Sequence, residues 1–274
     1  MNLRRGATVL AWCWLVLCAL VFLAPIAWMV LQSLKGPIDV IAVPPKFIFT
    51  PTLDNYVAVL TSPGFQSAFL SSLVIAIAAV LLGLLLGVPF AYALARLPVP
   101  MKEEISHFIL STKMLPAIVV IAPLVQVYGK LGILDSRIGL ILAHILIILA
   151  VIVWVMRSFF EALPRELEEA AIMDGASIAR TFVSIVLPLG VPGLVTVAAL
   201  GFILSWNDLF FALTLTSINA RTLPVFMGTE YVGFLAVDWG KLSAAGLVAT
   251  LPIMIVVVSL QRFLVRGLAM GAVK

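Results

Sequence analysis

Residues 161–188 read Glu161-Ala-Leu-Pro-Arg-Glu-Leu-Glu-Glu-Ala-Ala-Ile-Met-Asp-Gly-Ala-Ser-Ile-Ala-Arg-Thr-Phe-Val-Ser-Ile-Val-Leu-Pro188, a charged interruption between two strongly apolar runs. Pro164 suits the first turn of a helix, and Glu166, Glu168 and Glu169 follow where carboxylates interact well with the positive end of the helix dipole. The pattern predicts a short helix to about Met173, with Leu163, Leu167, Ala170 and Ala171 along one face. Two alanines there let another backbone come close. Asp174-Gly175 signals a turn, after which Ile178, Phe182, Ile185 and Val186 recur at helical spacing until Pro188, expected to stop the pattern. Isolated helices this short are marginal in water, so the pair needs a surface to pack on, either its own spans or another protein.

Working outward, 63% of the 274 residues are hydrophobic and 11% charged, far from the balance of a water-soluble domain. The apolar residues gather into six runs, at about 7–31, 69–94, 105–128, 138–160, 189–215 and 242–263, each near or above the length that crosses a bilayer core as a helix. The expected fold class is an all-α integral membrane protein of six transmembrane helices. It divides into 1–66, a first helix with an extracytoplasmic loop, and 67–274, a core of five helices carrying the 161–188 loop. The first run is too long for the apolar region of a cleaved signal and reads as a retained anchor. With both termini on one side, that side holds Arg4, Arg5, Arg96, Lys102, Arg157, Arg165, Arg180, Arg262, Arg266 and Lys274. Lys35, Lys46, Lys130, Arg137, Arg221 and Lys241 fall opposite. The excess predicts that the termini and the 161–188 loop are cytoplasmic.

Chemistry-bearing residues are sparse. Cys13 and Cys18 lie within the first run with no ligand partners, and packing is the role expected of them. His107 and His144 have no carboxylate at helical spacing, so neither supports a metal site or a proton relay. Lys113 sits in the third run, near its cytoplasmic end, where snorkelling accounts for it and a gate or solute contact is the alternative. Pro116 and Pro123 in the same run predict a helix broken twice, a plausible moving part. Gly83 and Gly87, with the alanines around them, suit close helix approach in lipid. The fifth run ends Ser205-Trp206-Asn207-Asp208, which reads either as an interfacial belt or as residues facing a central pathway. Residues 222–231 read as a flexible finger or a surface turn. The absence of a Gly-x-x-x-x-Gly-Lys loop argues against ATP binding by this chain.

Here the sequence resembles a family. Glu169-Ala170-Ala171, Gly175 and the later Ile185, Leu187 and Pro188, with Asp174 before the glycine, match the signature of the inner-membrane permease subunits of ABC importers. Three further stretches look like the carbohydrate-uptake, maltose-permease-like group: Pro44-Pro-Lys-Phe-Ile-Phe-Thr-Pro-Thr-Leu-Asp-Asn-Tyr56, Trp206-Asn207-Asp208, and the terminal Arg266-Gly-Leu-Ala-Met-Gly-Ala-Val-Lys274. The resemblance implies that 161–188 couples to an ATPase, through Glu166, Glu169, Ala170, Ala171, Asp174, Gly175, Phe182, Ile185, Leu187 and Pro188. It implies a pathway or gate role for Trp206, Asn207, Asp208 and Pro116, and contact with a solute-binding protein through Glu230, Tyr231 and Trp239. It further implies a homologous second permease, two ATPase subunits and an extracytoplasmic solute-binding protein as partners in a cytoplasmic (inner) membrane. ATP and Mg would sit on the partners, with no cofactor, metal or catalytic residue on this chain. The expected function is import of a sugar or polyol by alternating access. The alternative class, an ion-gradient-driven secondary transporter, would lean on acids or histidines inside the membrane.

Overall fold

The computed structural model describes residues 2–233 and 236–272, with side chains outside the description at 2–7, 9 and 262–272. Arg4, Arg5, Arg262 and the terminal Arg266 to Lys274 run therefore lie outside the described side chains. In chain order the helices are α1 (Asn2–Ser33), α2 (Pro37–Val40), α3 (Asp54–Thr61), α4 (Pro63–Arg96), α5 (Lys102–Ser111), α6 (Ala117–Leu131) and α7 (Arg137–Glu161). They continue with α8 (Glu166–Met173), α9 (Ile178–Thr181), α10 (Leu187–Leu189), α11 (Val191–Trp206), α12 (Phe210–Leu215), α13 (Leu223–Glu230) and α14 (Trp239–Ala272). Among the described residues, four stretches are long and apolar enough to cross a membrane alone: Leu10–Ser33, Pro63–Arg96, Arg137–Glu161 and Trp239–Gln261. Two further pairs qualify as bent spans, Lys102–Met114 with Ala117–Leu131 at 94° and Ile178–Leu189 with Val191–Trp206 at 74°. Counting each bent pair once gives six.

The chain forms two compact units, one of Met1–Gln66 and Phe226–Leu251, the other of Ser67–Val225 and Pro252–Lys274. In the first, Asn55 donates to the carbonyls of Ser33 and Lys35, each at 2.9 Å, and the Tyr56 hydroxyl meets that of Ser33 at 2.8 Å. These bonds hold the start of α3 against the end of α1. Lys35 is buried, its ammonium 5.0 Å from the Trp28 ring and 5.5 Å from that of Phe49. Further up α1 the apolar side chains from Leu10 to Leu23 are exposed, as suits a helix whose solvent is lipid. Cys13 is exposed and Cys18 half-buried, so packing within this chain does not account for Cys13.

In the second unit α7 is central, against α11, α12 and α4. A Cβ at Gly83 would stand 2.9 Å from Ile148 Cδ1 and one at Gly87 2.8 Å from Ile152 Cγ2, so the two glycines let α4 approach α7. Three expectations change. The 105–128 run breaks once, at Pro116, where Leu115 is extended (ψ 127°) as a residue before proline prefers. Pro123 stays inside α6. Residues 223–230 are helical, Pro224 falling in the first turn where its missing N–H costs nothing, so the finger is ordered. Lastly, the helical path does not stop at Pro188. It passes through a π turn, Phe182–Val186, in which the Leu187 N–H bonds the Phe182 carbonyl, and bends only at Gly190. Proline has no N–H for the Ser184 carbonyl, and a local shift to wider hydrogen bonding absorbs that loss.

Candidate functional site: the bent segment and the polar break

α8 starts at Glu166, two residues after Pro164, and ends in a Schellman closure. The Gly175 N–H bonds the Ile172 carbonyl at 3.0 Å and the Ala176 N–H bonds that of Ala171 at 2.9 Å, with Gly175 at φ 84°. The Ser177 hydroxyl then caps α9 by accepting from the Arg180 N–H at 3.3 Å. Between the two helices lies a groove of about 270 Å³ lined by Asp174, Gly175, Arg180, Thr181, Ser184 and Ile185.

Of the residues singled out from the sequence, Glu166, Glu169, Ala170, Asp174, Gly175 and Pro188 are exposed. Phe182, Ile185 and Leu187 are half-buried, and Ala171 is buried against its own chain. Apolar side chains also stand in the open here: Leu167, Ile172, Ile178, Val183, and above all Met173, 86% exposed. These exposed side chains, the ridge of this segment, and the carboxylates of Glu166, Glu169 and Asp174 are left uncovered by this chain.

Glu168 is the residue the sequence reading passed over. It is buried, with one oxygen 2.7 Å from Arg96 Nε and the other accepting from the Tyr92 hydroxyl at 2.8 Å. Arg96 also donates to the Leu163 carbonyl at 2.6 Å. The Tyr92 ring packs on Phe182 at 4.7 Å and on Phe160 at 5.8 Å. Nearby, Arg157 pairs with Glu103 at 2.6 Å and Glu161 at 2.8 Å and contacts the Ser106 hydroxyl, joining the start of α5 to the end of α7. No local signal sets Glu168 apart from Glu166 and Glu169, which share its first turn; its partners Tyr92 and Arg96 stand one turn apart on α4.

The second polar place is the break between α11 and α12. Trp206 is buried, 5.5 Å from the Phe69 ring and stacked on Phe202 at 5.6 Å, so it presents no surface to a pathway or a headgroup layer in this chain. Asn207 is exposed and bonds the Ile203 carbonyl at 2.9 Å. Asp208 meets His144 Nε2 at 3.3 Å and caps α12 by accepting from the Ala212 N–H at 3.1 Å, while His144 Nδ1 lies 2.6 Å from the Ser205 hydroxyl. His144 thus has a carboxylate partner after all, supplied from the break between α11 and α12. Pro116 is exposed at the 94° bend, beside a mostly apolar cavity of about 500 Å³ lined by Phe108, Lys113, Val120, Leu146, Ala150 and Phe211. Lys113 has no carboxylate partner among the described residues.

Of the three groups expected to meet a binding protein, Glu230 and Trp239 are exposed. Tyr231 is buried, its ring 5.7 Å from Phe226, and burial pushes its phenol pKa up. Among the described residues no three of His, Cys, Asp and Glu gather to hold a metal ion.

Residues 83–270 match the model of the family described as binding-protein-dependent transport system inner membrane component. The trehalose transport system permease protein SugB of Mycobacterium tuberculosis is 37% identical over 267 residues, covering 95% of this chain and 97% of that one. The trehalose/maltose transport system permease protein MalG of Thermococcus litoralis is 33% identical over 268 residues, 94% of each. Among solved structures, a bacterial ABC transporter involved in importing the acidic polysaccharide alginate aligns with TM-score 0.77 and 25% identity over 96% of this chain and 98% of that one. A second alginate transporter structure, in complex with a pentasaccharide-bound periplasmic protein, aligns with TM-score 0.70 at 16% identity and shares the fold. The match spans the Schellman-closed bend, the His144–Asp208 pair and the bent spans alike, and the chain belongs to the inner-membrane permease family of binding-protein-dependent transport systems.

Proposed function

We propose that this chain is one membrane-spanning subunit of an ATP-driven importer that carries a sugar inward by alternating access. The single observation that carries the reading is the uncovered apolar ridge around Met173, edged by Glu166, Glu169 and Asp174 on a bend built to a defined shape. A ridge of this kind outside an apolar span serves a protein partner better than water or lipid. The partner it fits is a nucleotide-hydrolysing subunit, two of which would bind ATP and Mg beneath this chain and a second homologous permease. A solute-binding protein delivers sugar from outside, toward the side bearing Glu230 and Trp239. The lysine and arginine excess supports placing both termini and the bend in the cytoplasm. ATP-driven closure of the partners would swing the bend and shift the spans broken at Pro116 and Gly190. The sugar class rests on the trehalose and maltose relatives.

The test is co-purification of the tagged chain with its ATPase from the native membrane, followed by reconstitution in liposomes with binding protein, trehalose or maltose, and ATP. Uptake should require ATP inside the cytoplasmic face. Uptake that survives ATP depletion but stops when an ion gradient is collapsed would replace this reading with gradient-driven transport, for which the His144–Asp208 pair would be the natural proton site.

A further inference from the structure

The buried contacts behind the bend suggest how movement leaves it. Tyr92 and Arg96 lie one turn apart at the end of α4 and both reach Glu168 in the first turn of α8. Arg96 also holds the Leu163 carbonyl in the connector, and the Tyr92 ring covers Phe182 in the π turn. The end of α4 therefore grips the bent segment at three points: the connector, α8, and the helix that follows Gly175. The side chains of Arg96 and Glu168 are 5% and 12% exposed.

A buried ion pair adds little stability over apolar residues of the same shape, because desolvation offsets most of the attraction. What the pair does supply is a fixed register between two elements. The same carboxylate could have stood in water, as those of Glu166 and Glu169 do on the same first turn. We propose that Tyr92, Arg96 and Glu168 are positioning residues that make α8 and the end of α4 one stiff lever. A push on the exposed ridge then displaces α4 instead of being lost as flexing of the 162–165 connector. The inference rests on the coupling reading above and adds the path by which the displacement enters the spans.

The experiment reads sugar transported per ATP hydrolysed by the full reconstituted complex, for wild type, Glu168→Gln, Tyr92→Phe and the double variant. Both single variants should assemble and hydrolyse ATP. Glu168→Gln should lose about tenfold in sugar per ATP, within the span usual for a coupling between sites. Tyr92→Phe keeps the ring on Phe182 and should lose less. The double variant should fall short of the product of the two losses, because both weaken one shared Tyr92–Glu168–Arg96 network. A wild-type sugar-to-ATP ratio in Glu168→Gln would overturn the proposal. If Glu168→Gln does not accumulate, Tyr92→Phe decides, since it leaves no buried charge unpaired: a lowered ratio supports the lever and an unchanged one overturns it. A wild-type complex whose uptake ignores ATP would instead defeat the function proposed above, and the lever with it.

Discussion

The Gly175 turn allows a sharp test, because space and backbone conformation separate there. A Cβ built at Gly175 meets no atom within 4 Å, so a substitution incurs no clash and only the φ of 84° matters. Holding an L-residue in the left-handed region costs about 1–2 kcal/mol for alanine. For a β-branched residue, strain of about 2–3 kcal/mol is expected. Asparagine visits this region with a smaller penalty. Since each ~1.4 kcal/mol is a factor of ten, Gly175→Val should reduce the population of the closed turn relative to competing conformers by roughly 30- to 150-fold. Gly175→Ala should reduce it by roughly 5- to 30-fold. Gly175→Asn should come nearest to wild type. Membrane insertion does not depend on this turn, so the order Gly, Asn, Ala, Val should appear in ATP-dependent uptake by proteoliposomes at equal amounts of inserted protein. Uptake by Gly175→Val equal to wild type, or Asn performing worse than Val, would refute the reasoning.

Other outcomes follow from single contacts. On the proposed docking through apolar area, Met173→Glu should abolish co-purification of the ATPase while Met173→Leu retains it; a pull-down from solubilised membranes reads this. Gly87→Ile drives a side chain into Ile152 and should destabilise the α4–α7 contact by about 1–3 kcal/mol, seen as earlier thermal unfolding in detergent. Gly201→Ala, whose Cβ would meet Val80 at 3.4 Å, should be tolerated. Asp135 gives a pH dependence. Burial raises its carboxyl pKa, but hydrogen bonds from Ser217, Asn219 and Ile218 outweigh this and hold it well below the usual range. A depressed folded-state pKa means the bonds stabilise the 217–220 turn fully above about pH 4, the ordinary aspartate value, and less as pH falls toward the folded-state value. Hydrogen exchange at the Ser217 to Ala220 amides should therefore accelerate in acid, and Asp135→Asn should remove most of that acid dependence.

Periodicity and turn chemistry along the chain determined much of this protein. The six apolar runs, the α8 helix ending at Met173, the glycine turn at 175 and the break at Pro116 all follow from neighbours within a few residues, where hydrophobic spacing, proline and positive φ act. Local pattern at 161–188 implied only a docking surface; the coupling role proposed for it came from the resemblance at Glu169-Ala-Ala, Gly175 and Ile185 to Pro188. Other features waited on partners distant in sequence. Glu168 reads like its neighbours Glu166 and Glu169, yet Tyr92, 76 positions away, turns it inward. His144 reads as isolated until Asp208, 64 positions on, is brought to its ring. Trp206 reads either as a belt residue or as facing a pathway until Phe69 and Phe202 enclose it, and Pro188 as a stop until the π turn behind it makes room. A helix repeats its faces every few residues, so a sequence shows that a polar group lies on a helix. Which side chain from another helix will satisfy that group, once water is excluded, is settled only when the helices pack.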